Sequence, residues 1–187
     1  MSKQLEEALA TLPSCFIIKR GRPLPEAEIE DLERRLKVKF PESFRGFLKE
    51  LGSVKVLRKY DDVDEGASQD EDIDEADCET VLAFGSKLSC EDEDFDLVAA
   101  QEALRVECSR WLSGGWFIEG EDPGKGRDPA SLNVVPFYLF PNGFSDALVF
   151  DEHGGIKHLR RACLHPEKGS FESVILDELN VLREDAS

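Results

Sequence analysis

The chain has 187 residues, room for one domain with decoration, and its 41% hydrophobic and 9% aromatic content is enough for a packed core, which excludes disorder throughout. The formal net charge of −17 is concentrated: from Tyr60 to Asp96 there are 16 acids against one base, Lys87, which leaves −2 for everything else. A field of that sign repels nucleic acid and anionic lipid and attracts a basic protein.

In chain order, Leu5, Ala8, Leu9 and Leu12 share one side of a short helix that Pro13 stops. A basic run, Lys19 to Arg22, leads through Pro23 and Pro25 into a helix over Glu26–Lys37. There Ile29, Leu32 and Leu36 recur at helical spacing, and acids at the start and bases at the end match the helix dipole. The link Val38–Phe40 is so short that the next helix must pack beside this one. That next helix opens on Pro41, presents Phe44, Phe47, Leu48 and Leu51 on one face and ends at Gly52, which can take the left-handed conformation of a helix stop. Val54–Leu57 reads as a strand. The segment Asp61–Glu79 is too acidic to bury itself and longer than the ~12–15 residues of an ordinary loop, so it is functional or an appendage.

Val81–Phe84 is a short apolar run, and Leu97, Gln101, Leu104, Cys108 and Trp111 keep helical spacing up to Gly114 and Gly115. After a turn-rich loop, Asp122–Pro129, the segments Val134–Phe140, Asp146–Phe150 and Ile156–Leu159 form a meander joined by turns at residues 141–143 and 151–155. Ser170 caps a last helix whose inner side carries Phe171, Val174, Ile175, Leu179 and Leu182. Helices, then antiparallel strands, then a helix make the class α+β.

No apolar run approaches the roughly 20 residues that span a bilayer, and the N-terminus lacks the basic start and apolar centre of a secretory signal, so a cytoplasmic location is expected. Five cysteines, Cys15, Cys78, Cys90, Cys108 and Cys163, are odd in number and contain no C-x-x-C pair, which suits a reducing compartment. Phosphate-loop, nucleophile-elbow and H-E-x-x-H patterns are missing. A calcium loop starting at Asp70 would need Gly where Glu75 stands and Glu where Val81 stands. His153, His158 and His165 read as surface residues, because Cys163 and His165 have no second ligand pair at metal spacing. Cys108 and Cys163 lie in amphipathic segments, where a thiol behaves as a small buried hydrophobe rather than a nucleophile. Trp116, just beyond the glycines, either fills core or stands out as an interface anchor.

The segment Val38–Gly52 (VKFPESFRGFLKELG), entered from a helix ending in Leu36, resembles the N-terminal signature of the SUKH superfamily. The likeness continues through Val135–Phe137, the turn Pro141–Asp146, the strand-turn-strand Leu148–Lys157 and the Ser-Phe helix Ser170–Leu179. The resemblance implies an α+β fold with a curved antiparallel sheet against several helices, residues 23–187, preceded by a helix and lead-in over residues 1–22. It implies no catalytic residue and no cofactor. Members include a yeast regulator of cell-wall synthesis and bacterial antidotes to secreted toxins, several of them resembling nucleases or deaminases. The acidic insertion, not a general family feature, is expected to mimic a phosphate chain in a toxin's basic cleft. The contact residues expected on that basis are Asp61, Asp62, Asp64, Glu65, Asp70, Glu71, Asp72, Asp74, Glu75, Glu91, Asp92, Glu93, Asp94 and Trp116. The alternative is a non-enzymatic regulatory scaffold whose acidic segment is a tether.

Overall fold

A computed structural model describes residues 3–59, 78–90, 93–110, 115–122, 125–140 and 143–186. In chain order they form α1 (Lys3–Ala10), β1 (Phe16–Arg20), α2 (Glu26–Leu36), α3 (Glu42–Glu50), β2 (Ser53–Lys59), β3 (Cys78–Gly85), β4 (Lys87–Cys90) and β5 (Glu93–Asp96). There follow α4 (Leu97–Arg110), β6 (Phe117–Ile118), β7 (Val135–Phe140), β8 (Gly143–Phe150), β9 (Ile156–Arg160), β10 (Cys163–Pro166) and α5 (Phe171–Asp185). The class is α+β, with helices against a large, mostly antiparallel sheet.

The eight-stranded sheet has the order β1-β2-β3-β7-β8-β9-β10-β6, and β4 and β5 form a separate hairpin. Every pair in the large sheet is antiparallel except β10 with β6. The expected meander of three strands is its centre, β7 to β9. Both flanks extend it, because β1 pairs with β2 from Phe16↔Arg58 to Arg20↔Val54 and β10 pairs with β9. The lead-in over residues 1–22 is therefore continuous with the rest: Leu5, Leu9 and Phe16 belong to the same core, and Arg183 of α5 donates to the Ala8 carbonyl at 3.3 Å.

Rings dominate that core. Phe44 is fully buried and lies 4.9 Å from both Phe150 and Phe171, centroid to centroid, so α3, β8 and α5 meet at one point. Pro41 leads into α3 from just outside it, its carbonyl accepting from the Arg45 N–H at 3.0 Å. Gly52 ends the helix at φ +69, and a Cβ there would fall 1.8 Å from the Arg22 carbonyl oxygen, so only glycine fits. The short link makes α2 and α3 neighbours as expected: Arg45, whose side chain is 16% exposed, bonds both Glu26 and Glu33, and Lys49 reaches Glu26 at 2.6 Å. Ser170 caps α5 by accepting from the Ser173 N–H while the Ser173 hydroxyl accepts from the Ser170 N–H, a reciprocal capping box. At one edge of the sheet, β6 is closed: Trp116 and Arg127 exchange two backbone bonds, and the Ile118 N–H is capped by Glu121 at 3.0 Å.

Candidate functional site

Antiparallel pairing fixes where the acidic insertion is rooted. β2 and β3 pair from Ser53↔Gly85 to Lys59↔Cys78, so the residues that flank positions 60–77 stand side by side at one end of the sheet. Those 18 positions hold ten acids and no lysine or arginine. Following the strands across, the same end carries the β7–β8 connection, where Phe140 pairs with Gly143, and the β9–β10 turn, where Arg160 pairs with Cys163.

Most of the expected contact residues, Asp61, Asp62, Asp64, Glu65, Asp70, Glu71, Asp72, Asp74, Glu75, Glu91 and Asp92, lie outside the described residues. Glu93 is described by its backbone, which pairs with Cys90 across the β4–β5 hairpin. Asp94 is not a purely outward acid: it accepts from the Ser89 hydroxyl and from Lys55 at 3.2 Å. The Ser89 bond, then Lys55, hold its carboxyl below the ordinary range. Asp96, on the same strand, accepts from the Val98 and Ala99 N–H groups at 2.9 and 2.8 Å and so caps α4.

The anchor reading of Trp116 is corrected by its burial. The residue is 9% exposed, its indole N–H donates to the Asp128 carbonyl and the Ser131 hydroxyl, both at 3.1 Å, and Arg127 covers its ring at 4.8 Å. A ring so enclosed fills core. The exposed apolar side chain nearby is Ile118, at 39%, on the lip of a cleft of about 360 Å³ that Trp116, Val134 and Leu164 also line.

A polar cluster that the sequence did not signal lies where α5 meets β7, β8 and β9. The Tyr138 hydroxyl, on a 3% exposed residue, donates to Glu178 at 3.2 Å, and His158 bonds Asp146 while stacking on Phe140 at 5.2 Å. Burial pushes the Glu178 carboxyl up, against the Tyr138 hydrogen bond, and burial beside Glu178 pushes the Tyr138 hydroxyl up as well. The only sequence trace was one tyrosine inside an apolar strand. Its partners are 8, 20 and 40 residues away along the chain.

The thiols are poorly set for nucleophilic work. Cys108 is 1% exposed and burial pushes its thiol up to about 12, while Cys163 is raised by burial and by Glu119 and Glu121. His165 instead faces Glu119 at 3.4 Å. Among the described residues no three His, Cys, Asp or Glu side chains come together to hold a metal ion, and no helix is long and apolar enough to cross a membrane. In comparisons with protein-family models, curated proteins and solved structures, nothing matches this chain.

Proposed function

We propose that this chain is a SUKH-like immunity protein: a non-enzymatic, cytoplasmic inhibitor that binds one secreted toxin domain and occludes its basic cleft with a carboxylate-rich sector. The observation that carries the reading is the Lys59↔Cys78 pairing, which ties both ends of a ten-acid segment to one end of the sheet. Asp146 and Glu178 lie toward the same end. A nuclease or deaminase must present positive charge to hold phosphates, so its cleft is the natural complement of such a sector. Steering of that kind raises association toward ~10⁸–10⁹ M⁻¹s⁻¹ at low salt, which suits an antidote that must arrive before its toxin acts. Burial raises the Cys108 and Cys163 thiols, which disfavours either as a nucleophile.

The test uses the toxin that co-purifies with the chain from its native cell. Stopped-flow association is expected to slow steeply as sodium chloride is raised, because the Debye length shrinks to ~8 Å at physiological ionic strength. Neutralising Asp70, Glu71, Asp72 and Asp74 together is expected to slow it far more than neutralising Glu30, Glu42, Asp177 and Glu184. Those control acids make no ion pair among the described residues, whereas Glu26 and Glu28 of α2 are held by Arg45, Lys49 and Arg22 and would confound the comparison. Equal losses from the two sets would refute the assignment of the acidic segment.

A further inference from the structure

The large sheet ends on β6 at one side and on β1 at the other, and the chain treats these two edges unequally. At β6, Trp116 and Arg127 exchange backbone bonds and Glu121 caps the Ile118 N–H. At β1 the ladder shows which backbone groups are already used. The Lys59 N–H donates to the Cys15 carbonyl at 3.0 Å, and the Gly21 N–H to the Ser53 carbonyl at 2.8 Å. Along an antiparallel pair, residues alternately turn their polar groups toward the neighbour and away from it. Cys15, Ile17, Lys19 and Gly21 therefore aim theirs at β2, and Phe16, Ile18 and Arg20 aim theirs outward. The Phe16 N–H returns to the Pro13 carbonyl at 3.0 Å. The Phe16 carbonyl and the backbone groups of Ile18 and Arg20 have no hydrogen-bond partner among the described residues.

Such an edge is a template for another strand unless charges guard it. Here the charges, Lys19 and Arg20, stand at one end only, and Phe16, Ile17 and Ile18 fill the rest of the five-residue strand. That asymmetry suits the same strand run antiparallel. A two-fold axis at Ile18 sets Ile18 opposite its own copy, Arg20 opposite Phe16 and Lys19 opposite Ile17, so each base meets an apolar side chain and no like charges face each other. The backbone groups match too: each Ile18 donates to and accepts from the other, and each Arg20 N–H meets the Phe16 carbonyl of the second copy. Parallel pairing in register would instead set Lys19 beside Lys19. The same axis separates the acidic segments. The flanks of residues 60–77 lie at the Phe16 end of β1, through Phe16↔Arg58 and Lys59↔Cys78. At ~3.4 Å per residue, Phe16 of one copy lies ~14 Å along the strand from Phe16 of the other, beyond the ~8 Å Debye length at physiological ionic strength.

We propose that β1 is the docking edge for a second copy of this chain, which pairs antiparallel about Ile18 and joins the two sheets into one. A seam of five residues is small, so the dimer forms in a concentration-dependent equilibrium. The proposal stands apart from the immunity reading.

The whole chain is followed by sedimentation velocity over a wide concentration range, with sodium chloride present to screen its net charge. Monomer is expected to give way to dimer as concentration rises. Over the same range, hydrogen exchange at the Ile18 and Arg20 amides is expected to slow, while that at Ile17 and Lys19, already turned to β2, stays unchanged. Ile17 is half-buried, and two variants there test the register. Ile17→Lys sets a lysine opposite Lys19 of the second copy, and Ile17→Glu sets a carboxylate there, each twice per dimer. The glutamate variant is expected to associate about tenfold more tightly than the lysine variant. A parent that stays monomeric throughout, a dimer that leaves Ile18 exchange unchanged, or equal affinities of the two variants overturns the proposal.

Discussion

Replacing Phe44 with alanine tests whether the α3 stripe is the centre of the fold. The residue is fully buried, with ring centroids of Phe40, Phe47, Phe137, Phe150 and Phe171 at 5.1, 6.2, 6.3, 4.9 and 4.9 Å. A buried Phe→Ala change costs ~3–5 kcal/mol, rising with the cavity left behind. The contacts to Phe40 and Phe171 are edge-on, at 88° and 66°, an arrangement that adds to plain burial. The loss is therefore placed in the upper half of that range, about 4–5 kcal/mol, against a total stability of ~5–15 kcal/mol. At roughly 2–4 °C per kcal/mol for a chain of this size, the thermal midpoint falls by about 8–20 °C. Urea unfolding should show the midpoint concentration drop with the slope unchanged. The comparison is Phe95→Ala, a half-buried ring with one ring partner, Phe144 at 5.0 Å, for which about 1–2 kcal/mol is expected. If Phe44→Ala costs no more than Phe95→Ala, the aromatic cluster does not hold α3 to the sheet and the reasoning fails.

Gly52→Ala is expected to destabilise by more than about 2 kcal/mol, since it combines a left-handed backbone with a clash against the Arg22 carbonyl. Gly120→Ala, also at positive φ but with nothing within 4 Å of the added carbon, isolates the conformational part and should cost clearly less in the same calorimetric comparison. Ser170→Ala removes the α5 capping box and should cost about 1 kcal/mol by chemical denaturation, with Ser170→Asp recovering most of it. For Glu178, burial raises the folded-state carboxyl above its ordinary value, so its contribution to stability is full at acidic pH and is lost as pH rises through the raised value. Glu178→Gln keeps an acceptor for Tyr138 and should leave the thermal midpoint unchanged in acid but raise it at neutral pH. An equal shift at both pH values would refute the burial argument.

Much of the scaffold was legible because its signals are local. Helix α3 is written in a proline, a four-residue apolar stripe and a glycine; the stripe is buried and Gly52 takes the left-handed stop, while Pro41 sits at the N-cap, one residue before the first helical position that the pattern gave it. Ser170 announced the start of α5, and the turns around residues 151–155 announced the central hairpins. Strands β1, β4, β5, β6 and β10 were not legible. They are two to five residues long, and β1 ends in Lys19 and Arg20, so nothing in their own composition separates strand from loop. Short strands of that kind exist because a neighbour offers backbone partners, and a neighbour is a property of the fold.

The charge of the site divides in the same way. Counting residues located 16 acids and left −2 elsewhere, because net charge is additive along the chain. Direction is not additive. Only the register between β2 and β3 sets the two roots of the acidic segment beside each other, only the hairpin turns Asp94 inward onto Lys55, and only packing encloses Trp116 behind Arg127. The facing lysines 19 and 55 are 36 positions apart in the chain and become a pair through strand pairing alone, so the sequence determined how much charge this protein carries, and the tertiary structure decided which charges face one another.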